Sequence, residues 1–360
     1  MRAKLIIAAI LVQFLVLGWM AGEREWILRT RPSVWLRTAP VDPRDLFRGD
    51  YVTLGYDIST IPAAQFGPGL KKHLEDWAAR GDGGRSGRGR EMVVYTALRV
   101  DPESGVAEIA TADLTPPESG LFLKGRVRPY SSRVHENLTG VAYGIDAYYV
   151  QQGKGRELER RSPELVPDGV VVPMEMEIAV GVNGTAVLRG HRWNALGIGV
   201  EIQKRSHSES APPAESDGEK KSSQKTLRIT FYNASAAPLA VVLPSDLRTL
   251  HIQKWDGWNG RGEDVGVSRT GLAPLTDADV RRLPPMQSVS VVMDLSRAEW
   301  FVKSAAGPVP LGHDAETYQS YRVVYEPPPR VDCRALKDGG IIAPGTLLGR
   351  RLSSYELKEK

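Results

Sequence analysis

From Leu5 to Gly22 the chain is apolar at every position but Gln13, and this 18-residue run lies just behind Arg2 and Lys4. Its length is at the lower edge of what a helix needs to span hydrocarbon. Farther on the period shortens to two. Tyr51 to Tyr56 predicts one ribbon, with Val52, Leu54 and Tyr56 on one face and Tyr51, Thr53 and Gly55 on the other. From Pro68, Leu70, Leu74 and Trp77 recur at helical spacing until Gly81, which predicts a short amphipathic helix. Alternation returns in Glu91–Val100, Val106–Thr111 and Gly120–Arg128. The clearest strand runs through Val170, Val172, Met174, Met176, Ile178 and Val180 into Asn183-Gly184. An Asn-Gly pair predicts a two-residue hairpin turn with positive φ at both positions, the chain returning through Ala186–Arg192.

A break in the pattern divides the body. Residues 203–225, QKRSHSESAPPAESDGEKKSSQK, carry no aliphatic or aromatic side chain beyond alanine. Such a stretch buries too little to offset its ordering entropy and is expected to be a disordered linker. A second polar stretch, Gly81–Arg90, is expected to be a surface loop. Beyond the linker, strands are expected at Leu227–Tyr232, Leu239–Leu243, Leu250–Lys254, Val289–Leu295, Tyr318–Tyr325 and Leu352–Leu357. Regular short strands with Pro and Gly turns predict a β-sandwich, and the phrasing of residues 226–360 is similar to immunoglobulin-like bacterial domains.

The flanks of the apolar run set its orientation. Positive charge ahead of it keeps the amino terminus cytoplasmic and exports the body. Its exit lacks an A-x-A-like cleavage site, since Trp19 or Met20 would fill the outer position. Residues 1–24 are therefore expected to stay as a signal anchor, with residues 5–22 in the bilayer and Trp19 and Trp26 at its interfaces. The chain's one cysteine, Cys333, excludes an intrachain disulfide and lies far from any lipid-attachment position. Over 360 residues, 47 Lys and Arg nearly offset 43 Asp and Glu. That balance, with no nucleic-acid-binding pattern, points away from nucleic acid as a partner.

Two motifs carry a resemblance. Val41-Asp42-Pro43-Arg44-Asp45-Leu46-Phe47-Arg48 runs directly into Gly49-Asp50-Tyr51-Val52-Thr53-Leu54-Gly55-Tyr56. Farther on comes Tyr148-Tyr149-Val150-Gln151-Gln152-Gly153-Lys154-Gly155-Arg156-Glu157-Leu158-Glu159, an aromatic strand followed by a glycine-basic turn and two acids. In this order they resemble the signature of the GDYXXLXY family of bacterial membrane proteins, over a β-rich domain at 34–202. The resemblance implies a membrane-anchored protein that often accompanies a polytopic membrane protein; it implies no particular reaction.

The motif residues admit two readings. In the structural one, Gly49 opens the strand, Asp50 bonds backbone amides and the tyrosines pack on a sheet. In the other, Arg44, Arg48, Asp50, Tyr51, Tyr56, Lys154, Arg156, Glu157 and Glu159 surround a polar cleft for an anionic or glycan ligand, with arginine making bidentate contacts. A hydrolase would need Asp50 with Glu157 or Glu159 across such a cleft. No metal-ligand spacing, nucleophile elbow, P-loop or dinucleotide fingerprint occurs, so no cofactor and no metal is expected. Trp255-Asp256-Gly257-Trp258 suggests either an aromatic platform or a turn packed on its own tryptophans. The expectation is a mainly β, anchored, non-catalytic binding or accessory protein of the periplasmic side, with an envelope glycan- or peptide-processing hydrolase as the alternative.

Overall fold

The computed structural model describes the chain except for residues 1, 40–50, 81–88, 130–136, 150–165, 168, 205–224, 256–262, 267–272, 296–299, 305–306, 312–319 and 358–360. The protein is mostly β, with one long amino-terminal helix, and forms two compact units. The first comprises Met1–Glu159 and Met174–Arg192; the second comprises Arg160–Pro173 and Trp193–Lys360. Of the linker expected at 203–225, residues 205–224 lie outside the described residues. Leu196–Lys204 and Lys225–Asn233 are neighbouring strands of the second unit, paired without a break from Leu196↔Asn233 to Lys204↔Lys225. The physical reason is the apolar alternation of Ile198, Val200 and Ile202 against Leu227, Ile229 and Phe231, which joins both strands to one core.

Helix α1 spans Arg2–Thr30, and its segment Lys4–Thr30 is long and apolar enough to cross a membrane, with none of its apolar window covered by the rest of the chain. Only Arg31 and Pro32 separate it from β1, Ser33–Ala39. The last turn of α1 belongs to the folded unit. Ile27 is buried with Ala179 and Val187, a burial that contributes roughly 1.5–3 kcal/mol. Arg189 donates to the carbonyl oxygens of Leu28 and Arg31 at the helix end, and to Glu177, which also accepts from Ser33. A guanidinium on the final carbonyls is favourable both as a cap and against the negative end of the helix dipole.

In the first unit β1 lies between β11, Met174–Val180, and β3, Gly55–Tyr56; β12, Ala186–Trp193, completes this sheet in the order β12-β11-β1-β3. A second sheet has the order β6-β5-β7, from Met92–Val100 (β5), Ala107–Asp113 (β6) and Phe122–Val127 (β7). The expected helix is α2, Pro68–Ala79, burying Leu70, Leu74 and Trp77. Its first turn is capped from another strand. Asp113 accepts from the amides of Leu70 at 2.7 Å and Gly69 at 3.3 Å, and a Cβ on Gly67 or Gly69 would collide with that carboxylate.

Two local expectations are corrected. The alternation from Val170 to Val180 is broken at Pro173, which has no amide to donate to a ladder: Val170–Val171 (β10) pairs in the second unit, and β11 begins at Met174. The hairpin after β11 is not a two-residue turn. Gly184 N–H donates to Gly181 O, Gly181 N–H donates to Thr185 O, and of the Asn183-Gly184 pair Gly184 alone has positive φ. This is a three-residue loop with its left-handed glycine last. Asn183 instead uses its side chain, whose oxygen accepts from Thr185 N–H.

The second unit holds two four-stranded sheets. One runs β10-β13-β14-β19, with β13 Leu196–Lys204, β14 Lys225–Asn233 and β19 Ser288–Asp294; the other runs β17-β16-β22-β23, with β16 Leu250–Trp255, β17 Glu263–Asp264, β22 Ser320–Tyr325 and β23 Leu347–Ser353. Shorter pairs are β15 with β18 (Leu239–Val242, Val280–Leu283) and β20 with β21 (Phe301–Ser304, Gly307–Pro310). Buried side chains of both large sheets form one core, in which the rings of Phe231 and Tyr325 meet edge to face at 4.7 Å. The strand expected at Leu352–Leu357 stops at Ser353. Ser353 and Glu356 exchange backbone and side-chain hydrogen bonds, a capping box that starts a helical turn at Ser354–Leu357. Cys333 is buried beside Ala240, Val242 and Ile342, its thiol raised by burial and by Asp332. Of the Trp255–Trp258 stretch, residues 256–258 lie outside the described residues.

Candidate functional site

The two motifs meet in space. Strand β2, Tyr51–Thr53, pairs antiparallel with β9, Ala147–Tyr149, in the register Tyr51↔Tyr149, Val52↔Tyr148, Thr53↔Ala147. The pairing continues past the end of the strands. Leu54 N–H donates to Asp146 O at 2.8 Å, Val141 N–H donates to Ser59 O at 2.9 Å, and β4, Thr60–Pro62, pairs with β8, Asn137–Thr139. Residues 51–62 and 137–149 therefore form one long antiparallel seam. Its middle is irregular, because Gly55 and Tyr56 turn aside to pair with β1 and Asp57–Ser59 form a helical turn.

Two tyrosines cross this irregular stretch in opposite directions. Tyr56 donates to Ile145 O at 2.9 Å, and Tyr143 donates to Ile58 O at 3.0 Å while also bonding Thr96 Oγ1 at 2.9 Å. Each phenol satisfies a carbonyl that the broken ladder leaves without a strand partner. Both are buried, and burial drives both pKa values far upward, Asp146 adding its charge at Tyr56, so they stay neutral. The expected single ribbon from Tyr51 to Tyr56 is thus two short strands with different partners.

Among the nine residues expected to surround a cleft, Tyr56 is a core residue with an engaged hydroxyl, enclosed because Leu54 and Tyr56 hold the seam from inside. Its hydroxyl and its packing both serve the ribbon. The backbone of Tyr51 lies in β2. Arg44, Arg48, Asp50, Lys154, Arg156, Glu157 and Glu159 lie outside the described residues. In the observed register Tyr51 faces Tyr149, the described residues next in sequence to those stretches.

Sequence reading missed Asp146. Its half-buried carboxyl is pushed up by desolvation, against hydrogen bonds from its own amide and that of Gly144, and lies close enough to Tyr56 to influence it. A carboxyl in that condition favours its protonated form more than a solvated one does. The available signal was its position directly ahead of the aromatic pair Tyr148-Tyr149. Sequence also did not show that Tyr148 reaches β12, where its ring meets His191 edge to face at 5.7 Å and its hydroxyl approaches Nδ1 at 3.4 Å.

Beside that contact the sheet β12-β11-β1-β3 carries a row of paired charges. Arg192 lies 4.1 Å over the Trp35 ring, donates to the buried carboxylate of Glu175 at 2.7 Å and to Ser104 O at 2.7 Å. Arg37 of β1 reaches across to Glu108 of β6, in the other sheet, which also pairs with Arg99 of β5. These charges largely satisfy one another, so the row braces the sheet. Among the described residues no group of three or more His, Cys, Asp or Glu side chains is placed to hold a metal ion. Residues 13–190 match the model of the GDYXXLXY protein family, which spans both motifs and the carboxyl half of α1. A search of curated proteins gave no match.

Proposed function

Because residues 13–190 belong to the GDYXXLXY family, we propose that this chain is a non-catalytic, single-pass bacterial membrane protein whose body lies on the periplasmic side and serves a membrane or envelope partner as a binding or accessory subunit. The observation that carries the reading is the joint between α1 and the first unit. An apolar helix whose final turn is packed through Ile27 and capped by Arg189 is part of the fold it anchors. A leader removed after export has no need of such a joint. In this reading Arg44, Arg48, Asp50, Lys154, Arg156, Glu157 and Glu159 serve recognition. The partner is a polytopic membrane protein engaged in part by the uncovered apolar surface of α1. The second unit, with two sheets over one core, acts as an immunoglobulin-like spacer or binding module.

A second reading draws on the same register. Tyr51, next in sequence to Asp50, pairs with Tyr149, which precedes Glu157 and Glu159, and a two-carboxylate glycan hydrolase would need those acids across one cleft. One experiment separates the two. The detergent-solubilised full-length protein is used for affinity capture beside a variant in which Leu5–Gly22 is replaced by an unrelated apolar helix. Recovery of a polytopic membrane protein with the native helix, and its loss with the replacement, supports the accessory role. Absence of any reproducible companion, together with cleavage of envelope glycan or peptide that Asp50→Asn abolishes, replaces it with the hydrolase.

A further inference from the structure

The hairpin between β11 and β12 ends in an exposed valine. Val182 is 72% exposed at the apex of the loop Gly181–Thr185. A single exposed valine is ordinary on any surface, so its place relative to α1 is what matters.

Strand β1 starts at Ser33 and leads away from the helix end, and β11 runs antiparallel to it with Ala179 opposite Ser33. Past that pair, β11 therefore runs back toward the helix. Val180 N–H donates to Pro32 O, and a Cβ on Gly181 would lie 3.0 Å from Ile27 Cδ1. The loop has thus returned to the level of Ile27, one helical turn before Arg31. Lys124, an exposed residue of β7, is fastened beside the loop by its amide, which donates to Gly184 O at 2.9 Å.

The height of that level follows from helix geometry. The apolar run Leu5–Gly22 spans about 27 Å at 1.5 Å per residue, close to the roughly 30 Å of a bilayer's hydrocarbon. Ile27 is five residues beyond Gly22, or about 7 Å along the axis. The headgroup layer on each side of the hydrocarbon is about 5–8 Å thick. The loop's contact with Ile27 therefore falls at the headgroups, and Val182, at the apex beyond Gly181, is directed into them. Trp26, exposed on α1 at the same level, suits an interfacial position, and Arg24, Arg29, Arg31 and Lys124 outnumber Glu23 and Glu25 around it.

We propose that the Gly181–Thr185 loop is a second membrane contact, resting with Val182 in the anionic headgroup layer of the bilayer that α1 crosses. Two contacts, one spanning and one superficial, fix the tilt of the first unit over the membrane where a single helix would leave it free to rotate. The inference rests on α1 being embedded in lipid. The Arg189 bonds to Leu28 and Arg31 keep helix and loop in register, so the contact depends on that residue.

The test uses full-length protein in nanodiscs of phosphatidylcholine and phosphatidylglycerol. An environment-sensitive fluorophore is attached at Val182→Cys or, separately, at Trp19→Cys, the native Cys333 being buried. Quenching of the position-19 probe by lipid spin-labelled deep in its acyl chain establishes the anchor. The position-182 probe is then expected to be quenched by headgroup-labelled lipid and to lose its sensitivity to aqueous iodide. Adding Arg189→Ala should restore iodide quenching at 182 while leaving position 19 unchanged. A position-182 probe fully open to iodide and untouched by headgroup-labelled lipid, with position 19 still quenched, overturns the loop contact and leaves the anchor standing. A position-19 probe that no lipid label quenches overturns both.

Discussion

Replacing Tyr56 by Phe probes whether the motif's last tyrosine belongs to the seam. The side chain is fully enclosed, and its hydroxyl makes the 2.9 Å bond to Ile145 O. Phenylalanine fills the same space less one oxygen, so packing is kept and one buried carbonyl loses its donor. Leaving a buried acceptor without a partner costs about 1–3 kcal/mol. A carbonyl tolerates this better than an amide does, which places the expected loss at about 1–2 kcal/mol. That corresponds to a roughly 5–30-fold change in a local opening equilibrium. Hydrogen exchange by mass spectrometry on the full-length protein reads it at the amides of Leu54 and Val141, which donate across the same seam. Faster exchange should be confined to peptides covering residues 51–62 and 137–149. Tyr143→Phe should do the same, and the double variant should show less than the sum, because the two phenols bridge one junction. Unchanged exchange in Tyr56→Phe, or a rise spread evenly over α2 and β5 as well, refutes the assignment.

Asp113→Ala removes the carboxylate that holds the first amides of α2, and a lost cap of this kind costs about 1–2 kcal/mol; a lower urea midpoint followed by circular dichroism checks it. Gly184→Ala forces a side chain into φ +80 with its Cβ 2.7 Å from the Phe122 ring and 2.9 Å from Lys124 N, so we expect a loss of at least about 1–2 kcal/mol from backbone strain in the same assay. Asp146 gives a pH prediction. Burial raises its pKa above the ordinary 3.8, so the folded chain binds that proton more tightly than the unfolded chain. The resulting stability is full below the unfolded pKa and is lost as pH rises through the folded one. Asp146→Asn should abolish that decline, giving a variant at least as stable as wild type at neutral pH in urea titrations; a wild-type decline that persists in the variant would show that another group titrates.

Periodicity was a reliable guide wherever one residue type dominated a face. Leu70, Leu74 and Trp77 gave α2, and the alternation of Leu227, Ile229 and Phe231 gave β14, because burial of one stripe or one face decides such elements almost alone. Misplaced elements share a different cause. Pro173 ends an alternation that looks continuous, and the pairing of Leu196–Lys204 with β14 was not visible because a polar stretch separates the two in sequence. The Asn183-Gly184 turn was right in place and wrong in type. Choice of turn depends on the whole hairpin, here on the amide bonds between Gly181 and Thr185 and on the Phe122 ring packed against Gly184. Strand partners and turn classes are set by contacts distant in sequence, which local pattern does not encode.

The same distinction explains why the motif announces a family more clearly than a chemistry. In Gly49–Tyr56 the two described side chains, Leu54 and Tyr56, are both buried along the seam. Their spacing is dictated by the passage from β2, bound to β9, into β3, bound to β1. A signature with that origin marks how two strands change partners, and it would persist whatever ligand the protein served. In the proposed role, recognition falls to motif residues that the seam does not use: Arg44, Arg48, Asp50 and the charged stretch after Tyr149. Tyr56 and Tyr143 are committed to backbone carbonyls. Substitutions should therefore separate cleanly. Those at Leu54, Tyr56 and Tyr143 should loosen the first unit and reduce function only through it, while charge-neutral substitutions at Asp50, Arg156 or Glu157 should leave exchange along the seam unchanged and alter partner or ligand binding alone.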